Sequence, residues 1–97
     1  GMRMNDHMKE NWQKFSEEMV EHIGAQQGKY RINESTEVAD LLPAEWAVGD
    51  AMKYVYEVIG WCNDREIRDK AVPRQMSKEN IMKAAHCLQI AWTKFGE

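Results

Sequence analysis

The 97-residue sequence has little of what marks several large protein classes. Its two cysteines, Cys62 and Cys87, are too few for a disulfide scaffold and too far apart for a zinc knuckle, so two buried, reduced thiols are expected. No apolar run approaches the roughly 20 residues of a membrane span, and the N-terminus lacks a signal-peptide core. These absences predict a cytoplasmic protein. Gly1 before Met2 resembles a remnant of tag cleavage, so the single domain is expected to span 2–97.

Neither sign of charge dominates the sequence. Thirteen basic and sixteen acidic residues give a net charge of −3, with both signs mixed along the chain. Nonspecific nucleic-acid binding rests on neutralising phosphates, so the composition argues against it. The P-loop, G-x-G-x-x-G and G-x-S-x-G motifs are also missing, which removes the nucleotide-binding and hydrolase classes that they mark. A nucleic-acid-associated role through Arg65, Arg68, Lys70 and Arg74 stays a lesser alternative.

Helical periodicity is what the sequence does contain, and no stretch alternates with period two for long enough to form a sheet. Apolar residues from Met8 to Ile23 recur at intervals of three and four, followed by Gly24 as a helix stop. Pro43 is expected to open the central helix, and Ser77 to cap the last one. The predicted fold is all-α, a small bundle of three main helices plus one short helix. Its segments are helix one at 5–23, a short helix at 36–42, the central helix at 43–62, a mobile charged connection at 63–76 and the last helix at 77–95.

Small residues on one face of the central helix, Ala44, Ala47 and Ala51, predict close approach of a neighbouring helix. The last helix has a bulkier predicted core stripe: Ile81, Ala84, Ala85, Leu88, Trp92 and Phe95. Several apolar residues fall off these stripes and predict a second contact surface, and therefore a homodimer. They are Val20, Trp46, Tyr56 and Ile90.

One edge of the central helix combines aromatic side chains with carboxylates. Asp50, Tyr54, Glu57 and Trp61 follow at spacings of four, three and four, with Lys53 beside them. Such an edge is a candidate ligand-binding site, because an aromatic platform beside charged groups could hold a base or a sugar. The alternative is a boundary stripe, in which the aromatic rings cover the core and the carboxylates are solvated.

A second candidate site is a metal centre. Glu18 and Glu21 form an E-x-x-E pair on helix one, and His22 adjoins them. Residues three or four apart share a helix face, so such pairs could bind a hard cation such as Mg²⁺. Glu66 and Asp69 form a further pair. The alternative is that these carboxylates are solvated and that His22 is a core histidine.

Two stretches carry a family resemblance, residues 49–56, GDAMKYVY, and residues 77–88, SKENIMKAAHCL. Together they resemble small all-α proteins of phages and prophages with a G-[ND]-x-x-K-Y helix. Residues 40–43 and 92–97 are faintly similar to phage dATP/dGTP diphosphohydrolases, and through them to MazG-like NTP pyrophosphohydrolases. That resemblance implies nucleotide metabolism, with Mg²⁺ as cofactor.

Three functions are therefore expected in order of preference. The first is a non-catalytic accessory or interaction protein, dimeric, with a protein or a nucleotide as ligand. The second is a Mg²⁺-dependent pyrophosphohydrolase of the MazG-like kind, with Lys53 contacting phosphate. The third is the nucleic-acid-associated role. The sequence assigns no catalytic residue.

Overall fold

The computed structural model describes residues 6–26, 29, 38–64 and 70–96, and every regular element within them is an α-helix. This confirms the all-α prediction of three long helices and one short one. None of these helices holds an apolar stretch that could cross a membrane. In chain order the helices are α1 (Asp6–Gln26), α2 (Val38–Leu41), α3 (Ala44–Asn63) and α4 (Ala71–Gly96).

Helix α4 begins earlier than the sequence pattern predicts. It starts at Ala71, so Ser77, expected as its cap, lies inside the helix, and the connection expected over 63–76 is shorter at both ends. Pro73 is the third residue of α4. The first four N–H groups of a helix have no intrahelical partner, so a proline there forfeits no backbone hydrogen bond. Part of the predicted connection, residues 65–69, lies outside the described ranges.

Helix α1 also runs further than expected, through Gly24 to Gln26. Glycine in a helix costs only about 1 kcal/mol relative to alanine, and the two residues that follow, Ala25 and Gln26, favour helix. The local propensity of the flanking residues therefore carries the helix past its predicted stop. Of the short helix predicted at 36–42, the part at 36–37 lies outside the described residues.

Helices α3 and α4 pack against each other in antiparallel orientation. Asn80, near the middle of α4, bonds to the middle of α3, and the Lys94 ammonium donates to the Asp40 carbonyl oxygen just before α3 (3.4 Å). Along both helices the buried and half-buried residues facing the partner alternate at intervals of three and four, as in a coiled coil. We call this set the inner seam. It comprises Ala44, Ala47, Ala51, Tyr54, Val58 and Trp61 of α3, and Pro73, Ser77, Asn80, Ala84, Cys87, Ala91 and Lys94 of α4.

The core of the described residues is built from small side chains. Its buried residues are Ala44, Ala47, Ala51, Asn80, Ala84 and Ala91. The core stripe predicted for α4 is largely exposed instead, with Trp92 at 76% and Phe95 at 75%. The reason is steric. Where alanines of the two helices face each other the backbones approach closely, and the space at those levels cannot hold indole or phenyl rings, so α4 turns its bulky stripe outward.

Candidate functional site

The five residues predicted to bind a ligand lie along α3, and the structure divides them between core and solvent. Tyr54 and Trp61 belong to the inner seam and are half-buried, so their rings help to cover the alanine core. Asp50, Lys53 and Glu57 are exposed. The edge therefore has the features of the boundary stripe that the sequence left open as the alternative.

The ring of Tyr54 is covered by cations from both helices. The Lys53 ammonium lies 4.8 Å from the ring centroid, and that of Lys83, on α4, lies 5.6 Å from it. Cations at this distance are attracted to the electron-rich face of an aromatic ring. The ring of the predicted aromatic platform is thus engaged by protein side chains, and Lys83 joins the set although the sequence pattern does not point to it.

Asn80 ties the same region of α3 to α4. Its side-chain amide donates to the carbonyl oxygen of Tyr54 (3.2 Å) and to a carboxylate oxygen of Glu57 (3.0 Å). A buried amide without partners would be costly, and these bonds form only when the two helices lie in this register. The Glu57 carboxylate, predicted to contact a ligand, therefore accepts a bond that holds the helix pair together.

The residues predicted to bind metal lie on α1. Glu18 and Glu21 are exposed, and His22 is half-buried. Across the described ranges, no three histidine, cysteine or acidic side chains are grouped as a metal would require. Glu66 and Asp69 lie outside those ranges. Glu18, Glu21 and His22 as metal ligands therefore stay a prediction.

His22 instead marks the place where α1 packs against α4. Its ring stands edge-on to that of His86, with centroids 6.1 Å apart and planes at 87°. Partial burial lowers the pKa of His22, and the Lys83 and Lys29 ammonium groups lower it further, while Glu79 opposes them. The arrangement favours a neutral imidazole at the contact between the two helices.

The environment of Cys87 is not that of an activated nucleophile. Burial raises the pKa of the Cys87 thiol, and the nearby Asp50 carboxylate raises it further, with Lys53 opposing. Cys62 is exposed at the end of α3. Both are free thiols, but the prediction that both are buried is wrong, because Cys87 is only half-buried and Cys62 lies exposed in the last turn of α3.

The best-formed concavities among the described residues are two shallow depressions open to solvent. One is lined by Gly49, Met52, Lys53, Tyr56 and Glu57, the other by Trp61, Cys62, Pro73, Arg74, Ser77 and Lys78. Small-molecule sites are concave and bury most of their ligand. Lys53 and Glu57 do share the first depression, but its walls are mainly apolar and it encloses little.

A continuous apolar surface is the larger feature, and it holds residues that the sequence pattern assigned to the core. We call it the outer seam, because each member directly follows an inner-seam residue, again at intervals of three and four. The outer seam comprises Val48, Met52, Val55, Ile59 and Cys62 of α3, and Ile81, Ala85, Leu88, Trp92 and Phe95 of α4. All ten side chains are apolar. Seven are large hydrophobic residues between 46% and 76% exposed.

The off-stripe residues that predicted a second contact surface have mixed positions. Val20, Trp46 and Tyr56 are exposed at 70%, 61% and 76%. Ile90 was expected on the surface, but it packs against the buried alanines together with Val48. That side of α4 faces the core because the helix is rotated relative to the predicted orientation.

Comparison of the chain with protein-family models, with curated proteins and with solved structures finds no match. The resemblance to phage helical proteins and to MazG-like enzymes therefore stays a prediction.

Proposed function

We propose that this chain is a non-catalytic helical interaction module that acts as a homodimer. The observation that carries the proposal is the burial pattern: the buried residues of the described ranges are five alanines and Asn80. Burying a large apolar side chain contributes roughly 1.5–3 kcal/mol, and here the large side chains retain much of their exposure. A chain of this kind gains its stability by covering those side chains with a partner.

The exposed side chains support the same proposal. Fifteen large hydrophobic residues of the described ranges are between 41% and 76% exposed. Contiguous exposed apolar patches larger than a few hundred Å² mark interaction sites on soluble proteins. A second chain that covers these side chains would remove their apolar area from water.

The residues around the predicted ligand-binding edge of α3 support the proposal that the chain is non-catalytic. Asn80 and Glu57 bond to each other, and the lysines flanking Tyr54 are drawn to its ring. Burial raises the pKa of the nearby Cys87 thiol, which makes the thiol less reactive. Enzymes tune such groups toward reactivity, with perturbed pKa values in a cleft.

Sedimentation equilibrium over a wide range of chain concentrations tests the proposal. We expect the apparent mass to rise to twice the chain mass, because association covers the exposed apolar residues. A single-chain mass at every concentration would contradict the dimer. Release of pyrophosphate from nucleoside triphosphates with Mg²⁺ would contradict the non-catalytic part and favour the MazG-like alternative.

A further inference from the structure

The two halves of the outer seam lie on the same side of the α3–α4 pair. In each helix, an outer-seam residue follows an inner-seam residue, so it is rotated about 100° from the helix contact in the same sense. Because α3 and α4 are antiparallel, the same sense of rotation brings both stripes to one side. The outer seam is therefore one face, two helices wide.

Helix α1 does not cover this face. It meets α4 at His86, and Leu88 of the outer seam lies two residues further along the same helix. Two residues correspond to about 200° of rotation, so His86 and Leu88 point in nearly opposite directions. The outer seam is thus open on the hairpin, whereas α1 occupies the other side.

We propose that a second copy of this chain covers the outer seam, forming an antiparallel four-helix bundle in which α3 of each copy packs on α4 of the other. This inference rests on the proposed homodimer and specifies its interface. A two-stripe apolar face on a helical hairpin is half of such a bundle. The two stripes continue into charged residues only at the ends of this face, Glu45 on α3 and Arg74 and Lys78 on α4, so the apolar middle of two identical faces can meet without repulsion.

Side-chain size supports this pairing of α3 with α4. Within one chain, Ala91 clusters with Ala44 and Ala47, and Asn80 donates a hydrogen bond to the Tyr54 carbonyl. These contacts fix which residues of α3 and α4 lie at the same level along the bundle axis. A two-fold axis parallel to the helices preserves those levels between copies. Large residues of one copy then oppose smaller ones of the second.

These levels determine which outer-seam residues of the two copies face each other. Ala85 lies level with Met52 of the second copy, so the smallest residue of α4's stripe opposes the longest of α3's. Leu88 lies level with Val48, and α4 places its bulkiest rings beyond it, toward the N-terminal end of α3. Alternation of large and small side chains is what lets layers of a helix bundle interdigitate.

A charge in the seam tests which face is used. In Leu88→Lys we expect dimerisation, measured by sedimentation equilibrium, to weaken by roughly a hundredfold or more, because each interface buries two lysines and loses two leucines. Val20→Lys is the matched control, since Val20 is equally apolar, 70% exposed and on α1. There we expect a change of less than about threefold. A Leu88→Lys protein that dimerises like the wild type would overturn the inference and leave the homodimer standing.

Cross-linking tests the pairing without placing a charge in the seam. Two variants each keep one cysteine, Val48→Cys or Leu88→Cys, with Cys62→Ser and Cys87→Ala. On mild oxidation, their mixture should form the mixed covalent dimer faster than either variant forms its own. Preferential linking of two Leu88→Cys chains would overturn the arrangement. A wild-type protein that stays monomeric would instead overturn the homodimer itself.

Discussion

At the scale of single residues, Asn80 shows how one polar side chain fixes the register of two helices whose other buried residues are alanines. The alanines around it would pack nearly as well if the helices slid along each other. Its amide bonds to Tyr54 and Glu57 form at one register only. Buried polar residues that select one pairing at some cost in stability are known in coiled coils. Asn80 lies in the stripe of small residues on α4, and its spacing within that stripe is a signal for this role. By hydrophobicity alone, however, this stripe ranks below the one with Leu88 and Trp92.

His22 makes the contact between α1 and α4 dependent on pH. Its pKa is lowered from the ordinary 6.5, so the folded state binds the proton less tightly than the unfolded state does. The contribution to stability is therefore full above pH 6.5 and is lost as the pH falls through the lowered pKa. Protonation would place a second positive charge near Lys83, on a ring that faces His86.

We expect amide hydrogen exchange in the C-terminal half of α1, corrected for its intrinsic pH dependence, to keep its protection above pH 6.5 and to lose it as the pH falls through the lowered pKa of His22. His22→Gln should reduce this loss, because the side chain no longer titrates. The exposed His7 provides the matched control, and His7→Gln should leave the pH response unchanged. An equal response in His22→Gln would show that another group is responsible.

At the scale of elements, α4 is a helix with two seams. Its small residues face α3 and its bulky residues form the outer seam, so one helix supplies both the internal contact and the proposed intermolecular one. Helix α3 is built in the same way, with alanines inward and Val55 and Ile59 outward. In both helices the stripes run side by side because both follow the same alternation of three and four.

Gly49 is expected to weaken α3 without serving its packing. It is an exposed glycine within the helix, and a Cβ placed there would meet no atom within 4 Å. Gly49→Ala should therefore raise the free energy of unfolding by up to about 1 kcal/mol, measured by urea denaturation monitored by circular dichroism. Gly96→Ala, at the last residue of α4, should change it much less, because helix ends fray. Destabilisation by Gly49→Ala would indicate that a partner approaches the glycine closely.

At the scale of the whole molecule, a core of alanines gives little stability per residue, since a methyl group buries little apolar area. Small domains are marginal even with larger side chains inside. If a second copy covers the outer seam, folding and association are linked. The dimer would then be stabilised by mass action as the chain concentration rises.

Thermal unfolding should reveal this linkage. We expect the unfolding midpoint to rise by several degrees over a hundredfold increase in chain concentration, measured by circular dichroism at equal ionic strength. Leu88→Lys should flatten that dependence, and Val20→Lys should keep it. A midpoint independent of concentration would mean that the stability is unimolecular.

Much of the candidate site could be placed from the sequence but not interpreted. The spacing of Asp50, Tyr54, Glu57 and Trp61 assigns them to one edge of a helix, because helical geometry is local. Which of them face solvent depends on α4, since Tyr54 and Trp61 are half-buried in the contact between the two helices. The hydrogen bond from Asn80 to Glu57 and the contact of the Lys83 ammonium with the Tyr54 ring join residues far apart in sequence, so no local pattern reports them.

The sequence by itself determined that the chain is helical, where its long helices lie to within a few residues, except the start of α4, and that Ala44, Ala47 and Ala51 face a neighbouring helix. Each of these follows from local periodicity, propensity and side-chain size. Only the tertiary structure decided which of α4's two stripes faces α3. Both stripes have the required spacing, and hydrophobicity favours the one with Leu88 and Trp92. The alanine face of α3 selects the other, because the backbones approach closely at these alanines and leave room there for small side chains alone.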